Sequence, residues 1–246
     1  MKSHTFRKKW GQNFLQDPNI IRKIVAQLDP HPHDVVIEIG PGQGALTFEL
    51  ATQVKTVHAI EIDPLLVNYL NDYAPDNVNI IHQDILDLDL SQFSDEVKII
   101  GNLPYNITSP IIFKFLEWSV WSRMVFMTQR EVAQRITSIH GNKTYGRLSV
   151  MTQALSDVQL SFTVPKTVFF PQPDVTSAIL TFEPISTLIV DMDHFSHVVK
   201  QAFSQRRKTL RNTLKGLFTS EELGKFSGKR AEELSVQDFI TLSTLK

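Results

Sequence analysis

Asp34-Val35-Val36-Ile37-Glu38-Ile39-Gly40-Pro41-Gly42-Gln43-Gly44 is the stretch that decides the fold. Its first six residues form a short, almost wholly apolar strand, the kind found in a sheet covered on both faces. Three glycines follow at alternate positions, and then Ala45-Leu46-Thr47-Phe48-Glu49-Leu50-Ala51, a helix. In a glycine-rich strand-to-helix turn a ligand can approach the backbone, and the helix N-terminus offers free N–H groups. The next strand, residues 56–60, ends in Glu61-Ile62-Asp63. An acidic side chain at the end of a second strand is placed to accept both hydroxyls of a ribose. The spacing is G-x-G-x-G rather than the dinucleotide fingerprint G-x-G-x-x-G, so a NAD-dependent oxidoreductase stays open as the weaker reading. No candidate His–Asp pair for hydride transfer accompanies it.

Two further strand ends extend the pattern. Residues 78–83 lead into Asp84-Ile85-Leu86. Asp84 there suits a hydrogen bond to an adenine amino group, or the capping of a helical turn. Val97-Lys98-Ile99-Ile100 ends at Gly101 and is followed by Asn102-Leu103-Pro104-Tyr105. A side-chain amide, a proline-restricted turn and an aromatic thus sit together past a strand's carboxyl end, where open α/β sheets bind ligands. The three groups suit the holding of a planar exocyclic amine. The Asn102 oxygen accepts one N–H, the Leu103 carbonyl, fixed by Pro104, accepts the other, and Tyr105 stacks on the ring. This reads as the catalytic loop of a methyltransferase acting on adenine N6. The plainer alternative is a βα turn with an ordinary Asn-x-Pro loop signal.

Strands and helices go on alternating to about residue 182, which predicts an α/β domain with a mostly parallel sheet; the last two strands, 158–164 and 176–182, add an antiparallel pair. Residues 169–175 are a proline-stiffened loop carrying Phe169 and Phe170. From Pro184 the chain reads helical over 193–217, 220–226 and 235–245. The expected division is 1–184, an α/β domain with an N-terminal arm, and 185–246, a small all-helical domain. A chain of 246 residues has room for both. There are no cysteines, which excludes disulfides and Cys-ligated metals. No apolar run approaches the ~18 residues needed to span a bilayer, and the basic N-terminus lacks the apolar segment of a signal peptide. A cytoplasmic, membrane-free monomer with no metal is expected. The formal net charge of −1 argues against a nucleic-acid partner, but the charge is unevenly spread. Residues 184–246 hold 10 Lys and Arg against 7 Asp and Glu. Basic residues cluster at Lys2, Arg7, Lys8 and Lys9 and again between Lys200 and Lys215. If 193–217 is one continuous helix, Lys200, Arg207, Lys208, Arg211 and Lys215 share a side, and Arg206 lies on the other flank unless the helix breaks near Gln205. Such a run either contacts phosphates or is a solvated face.

Taken together, these stretches closely resemble the small-subunit ribosomal RNA adenine dimethyltransferases of the KsgA/RsmA type. The matching residues are Gly11-Gln12-Asn13-Phe14-Leu15, Glu38 to Gly42, Glu61-Ile62-Asp63, Asp84, Gly101 to Ser109, Tyr145 to Met151, Phe169 with Pro171 and Pro173, Ala202-Phe203, Arg206 to Asn212, and Arg230-Ala231-Glu232. The resemblance covers nearly the whole chain. It implies a Rossmann-like S-adenosyl-L-methionine-dependent methyltransferase domain with a small C-terminal helical domain. It also implies transfer of four methyls to two adjacent adenosines near the 3′ end of small-subunit (16S) ribosomal RNA, in the immature small subunit. By the same match, Asn13, Leu15, Gly40, Gly42, Glu61, Ile62, Asp84, Ile85 and Asn102 hold the methyl donor. Asn102, Leu103, Pro104 and Tyr105, with Phe169 on the opposite face of the base, form the catalytic site. Arg147, Arg206, Arg207, Lys208 and Arg211 meet RNA. Two relatives of different role remain open: one that methylates large-subunit RNA and confers macrolide resistance, and a ribosome-assembly or transcription factor that uses the fold mainly to bind.

Overall fold

The computed structural model describes residues 13–118, 120–186, 189 and 191–245. The basic arm (Lys2, Arg7, Lys8, Lys9) and Gly11-Gln12 lie outside the described residues. The chain forms two compact units. The first takes in the described residues up to Ala133 together with Gln159–Glu183; the second takes in Gln134–Val158 and the described residues from Pro184.

In chain order the first unit contains β1 (Phe14–Leu15), α1 (Pro18–Gln27), β2 (Val35–Ile39), α2 (Ala45–Ala51), β3 (Thr56–Glu61), α3 (Pro64–Tyr73), β4 (Val78–His82), β5 (Val97–Asn102), α4 (Thr108–Leu116) and β6 (Trp121–Gln129). Then α5 (Arg130–Ile136) straddles the division; α6 (Arg147–Leu155) belongs to the second unit and β7 (Ser156–Val164) straddles back. The first unit is completed by β8 (Phe169–Phe170) and β9 (Ser177–Pro184). Seven strands form one sheet in the order β4-β3-β2-β5-β6-β9-β7. Strands β2 to β6 pair in parallel, and β9 runs antiparallel to β6. The expected α/β architecture is therefore present, with β9 as an antiparallel strand beside β6 and β7 next to it at the sheet edge.

Local chemistry sets the helix starts. Asp17 and Asp63 accept backbone N–H bonds at the first turns of α1 and α3, and a proline occupies the first helical position of each. One face of the sheet is covered by α1 and α2, whose Ile24, Val25, Leu28, Leu46 and Leu50 pack on Val36, Ile100, Val125 and Ile179. On the other face Phe115 of α4 meets Phe126 at 6.4 Å, which meets Phe182 edge-on at 5.6 Å. Burial on both sides explains why the central strands read as continuous apolar runs.

Two contacts position the site. Ile39 of β2 pairs with Ile60 of β3 on one side and Gly101 of β5 on the other. The fit at Gly101 is tight: a Cβ there would lie 2.8 Å from the Ile39 carbonyl oxygen and 2.9 Å from its Cβ. Further out, Lys114 of α4 donates from Nζ to the carbonyls of Leu86 and Leu88, both at 2.7 Å, and so pins the segment after β4 to the helix that follows β5.

The second unit is helical. Alongside α6 it holds α7 (Met192–Ala202), α8 (Leu210–Thr213), α9 (Ser220–Leu223) and α10 (Val236–Leu242). Helix α6 packs on α7 and α10. Tyr145 meets the Phe203 ring at 6.0 Å, and Phe203 stacks on Phe239 at 5.6 Å. These contacts group 134–158 with the C-terminal helices, whereas a boundary at 184/185 leaves that segment in the first domain. The helix read over 193–217 breaks near Gln205, the alternative that its charge pattern left open. It ends at Ala202, because the backbone beyond the next turn bonds elsewhere: Leu210 N–H donates to the Lys229 carbonyl at 2.8 Å, and Thr209 bridges Arg230. Arg206, Arg207 and Lys208 therefore sit on a turn, and the basic residues do not form one helical stripe.

Gly101→Ala is expected to cost about 1–3 kcal/mol through overpacking against Ile39, seen as a lower denaturant midpoint with unchanged slope. Gly228→Ala, where a Cβ meets nothing within 4 Å, should stay within about 0.5 kcal/mol of the parent. Lys114→Met leaves two carbonyls without their ammonium donor. Amide exchange across residues 84–89 should accelerate in that variant while the central strands keep their protection.

Candidate active site

A cavity of about 650 Å³ opens at the carboxyl ends of β2, β3, β4 and β5. The strand order reverses there, since β3 and β4 lie to one side of β2 while β5 and β6 lie to the other. Such a switch point is where open α/β sheets receive ligands. Asn13, Leu15, Gly40, Gly42, Glu61, Ile62, Asp84, Ile85 and Asn102 all line this cavity, together with Leu103, Pro104 and Tyr105. The two groups of residues that the sequence assigned to donor binding and to catalysis thus share one space, with Phe169 as the exception.

The glycine turn forms the floor. Gly40, Gly42 and Gly44 have φ of +63°, +60° and +85°, a region that disfavours side chains. The Gly42 N–H donates to Glu61 Oε2 at 3.2 Å, while Glu61 Oε1 accepts from the N–H groups of Ile62 and Asp63, each at 2.9 Å. Burial raises the Glu61 pKa, and those three N–H groups oppose the rise. Asp84 Oδ1 accepts the Leu86 N–H at 2.9 Å, so it caps the turn after β4 and lines the cavity as well. The loop after β5 is held at several points. Leu103 N–H donates to the Met127 carbonyl at 2.9 Å. The Pro104 carbonyl accepts from Ile107 N–H at 3.2 Å and from the Thr108 hydroxyl at 3.0 Å. The Tyr105 hydroxyl lies 3.4 Å from Ser177 Oγ. The backbone around Asn102 and Leu103 is thereby held by bonds within the loop and to β6.

Phe169 departs from expectation. In the antiparallel pair of β1 with β8 it stands opposite Leu15, is buried in the core and does not line the cavity. Alternation along the short strand turns Phe170 outward, 53% exposed. Of the basic residues expected to meet RNA, all five lie in the helical unit. Arg207, Lys208 and Arg211 are exposed, and Arg147 opens α6 half-buried. Arg206 ion-pairs with Glu232 at 3.5 Å and also donates to the Lys143 carbonyl.

Sequence reasoning assigned no role to Lys114, which braces the cavity's rim, or to Glu38, which lines it. Lys114 acts at a distance of 26–28 residues along the chain, and no local pattern marks it. Glu38 lines the cavity at 1% exposure, and its Oε2 is buried without a hydrogen-bond partner among the described residues. A carboxylate inside an otherwise apolar strand was the available signal. Burial pushes its pKa up to about 8; hydrogen bonding from Thr47 on α2 opposes the rise, and the Glu61 charge adds to it.

Comparison with known proteins gives a concordant result. The family model for ribosomal RNA adenine dimethylase matches residues 3–246. The ribosomal RNA small subunit methyltransferase A of Francisella tularensis subsp. novicida (strain U112) is 43% identical over 253 aligned residues, covering 96% of each chain. A dimethyladenosine transferase from Plasmodium falciparum superposes with a TM-score of 0.83 at 26% identity, covering 93% of this chain and 95% of its own. The 23S rRNA methyltransferase ErmE superposes at 0.70 with 25% identity, covering 94% and 98%. With a match along nearly the whole chain and the adenine-type loop in place beside the ribose-type carboxylate, the protein belongs to the ribosomal RNA adenine dimethylase family of S-adenosylmethionine-dependent methyltransferases.

Proposed function

We propose that this protein dimethylates N6 of two adjacent adenosines near the 3′ end of small-subunit ribosomal RNA. The observation that carries the reading is the presence of Asn102-Leu103-Pro104-Tyr105 in the same cavity as Glu61 and Asp84. The identity to a small-subunit methyltransferase favours the small subunit over the large. The substrate is the immature subunit, and the enzyme works as a cytoplasmic monomer.

The cavity fits the methyl donor. Its volume accommodates a nucleoside with an amino-acid arm, Glu61 stands at the strand end that receives a ribose, and the positive-φ glycines keep the floor open. Asn13, Leu15, Gly40, Gly42, Glu61, Ile62, Asp84, Ile85 and Asn102 would hold it. When bound, the sulfonium supplies an electrophilic methyl group. Adenine N6 is a poor nucleophile because its lone pair is delocalised into the ring. Asn102 Oδ1 and the Leu103 carbonyl accept its two N–H groups and draw the nitrogen toward tetrahedral geometry. As the C–N bond forms the S–CH3 bond breaks, and the N6 proton, made acidic by the developing positive charge, passes to solvent, so the reaction depends on positioning and electrostatics rather than on a strong base. The base leaves its stack to enter the pocket, and Tyr105 offsets that cost by stacking, worth about 1–3 kcal/mol. Phe169 contributes from behind, by packing beside Leu15 at the cavity wall. Arg207, Lys208 and Arg211, with Arg147 and the ion-paired Arg206, supply phosphate contacts from the helical unit.

The direct test is methyl transfer from labelled S-adenosylmethionine to undermethylated small subunits, with large subunits in parallel. Incorporation approaching four methyls per small subunit as N6,N6-dimethyladenosine is expected. Incorporation into large subunits alone would overturn the reading. Asn102→Ala should keep its fold but lose turnover by ~100-fold or more; near-normal turnover would remove Asn102 from the mechanism. The double substitution Arg207→Ala with Arg211→Ala should weaken RNA binding and flatten its logarithmic salt dependence by about 1–2. An unchanged slope would mean that these arginines are a solvated face.

A further inference from the structure

Glu38 is left without a task by the mechanism above. It stands on β2 in register with Ala59 of β3 and Ile100 of β5. Alternation then puts Glu38, Glu61 and Asn102 on the same face of the sheet, at the end where the cavity opens. The groups packed around Glu38 are Thr47 from α2 and Glu61 from β3, and Glu61 is the charged one acting on it. Among the described residues Glu38 Oε2 is buried without a hydrogen-bond partner, and Thr47 only partly offsets the effect of that burial. A carboxyl whose burial outweighs the donors beside it is stable as the neutral acid. The donor and its spent product differ in one formal charge: the sulfonium is cationic and the thioether is neutral.

We propose that Glu38 is a specificity-determining residue that distinguishes the cationic methyl donor from its neutral product, by releasing its proton to solvent when the donor binds and recovering one when the thioether remains. The inference rests on the reading of this cavity as the donor site. The positive charge arriving in a low-dielectric space stabilises the Glu38 carboxylate, and the carboxylate in turn stabilises the cation. After transfer the cation is gone, two carboxylates face each other across the strand ends, and reprotonation of Glu38 relieves their repulsion. The sign follows from burial: with the group neutral below about pH 8 in the free protein, donor affinity rises with pH. The rise should approach tenfold per pH unit below that value and level off above it.

Isothermal calorimetry tests this in buffers of different ionisation enthalpy at pH 7, with S-adenosylmethionine and S-adenosylhomocysteine titrated in parallel. The amino and carboxylate groups are common to both ligands, so the difference between them isolates the sulfonium. Donor binding should release about one proton more than product binding, and Glu38→Gln should abolish the excess and flatten the pH dependence of donor affinity. Equal proton release for the two ligands in the unsubstituted protein would overturn the proposal, whether or not the glutamine variant folds. So would an excess that survives in a folded Glu38→Gln protein. Failure of either ligand to bind would overturn the assignment of the cavity, and this inference with it.

Discussion

The site depends on the register of three parallel strands. Ile39 is locked between Ile60 and Gly101, so the chain leaves the sheet from β2, β3 and β5 at nearly the same level. The glycine turn, Glu61 and Asn102 are each the next feature along their own strand. A shift by one residue would turn Glu61 or Asn102 to the opposite face and separate them. The absence of a side chain at Gly101 lets β5 approach β2 closely enough to hold this level. Catalytic geometry here is thus a consequence of backbone packing one residue below the site.

That arrangement concentrates negative charge. Glu38 and Glu61 share a face, Asp84 stands on the next strand end, and Asp63 caps α3 just beyond. The backbone N–H groups of Gly42, Ile62 and Asp63 satisfy Glu61, but they do not reach Glu38. The two carboxyls therefore differ in kind. One is solvated by fixed dipoles and suited to hydrogen-bonding a neutral sugar. The other is desolvated and responds to charge. A pocket for a cation gains from the second type, because an uncompensated carboxyl that is costly in the empty site becomes favourable once the cation arrives.

Much of this was legible in the sequence because the decisive features are local. A strand-glycine-helix turn, an acid at the end of the following strand and Asn-Leu-Pro-Tyr after another each occupy a few consecutive residues, and an α/β sheet brings strand ends together without further information. What was not legible depends on tertiary partners. The sequence left 193–217 either continuous or broken near Gln205; the backbone partners that Leu210 and Thr209 find at Lys229 and Arg230, which periodicity does not register, decide for the break. Phe169 and Phe170 are chemically alike in the sequence; only pairing with Phe14 and Leu15 decides which is buried. The segment 134–158 carries the same apolar pattern whichever unit it joins, and the Tyr145–Phe203 contact settles where it packs.

The broken helix has a consequence for the basic cluster. A continuous helix would present cations every three or four residues along a straight edge, suited to a duplex backbone. A turn instead gathers Arg206, Arg207 and Lys208 at one point, with Arg211 a turn further on. Within that group the charges are not equivalent. Arg206 is engaged with Glu232 and the Lys143 carbonyl, so it stiffens the turn against the loop before α6. Arg207 and Lys208 remain exposed on the framework that this contact creates. A compact cation cluster on a stiffened turn loses less side-chain freedom on meeting phosphate than the same charges on a mobile tail would. A net charge of −1 is thus compatible with a nucleic-acid substrate, since the distribution of cations matters more than the total and here several are gathered on one turn.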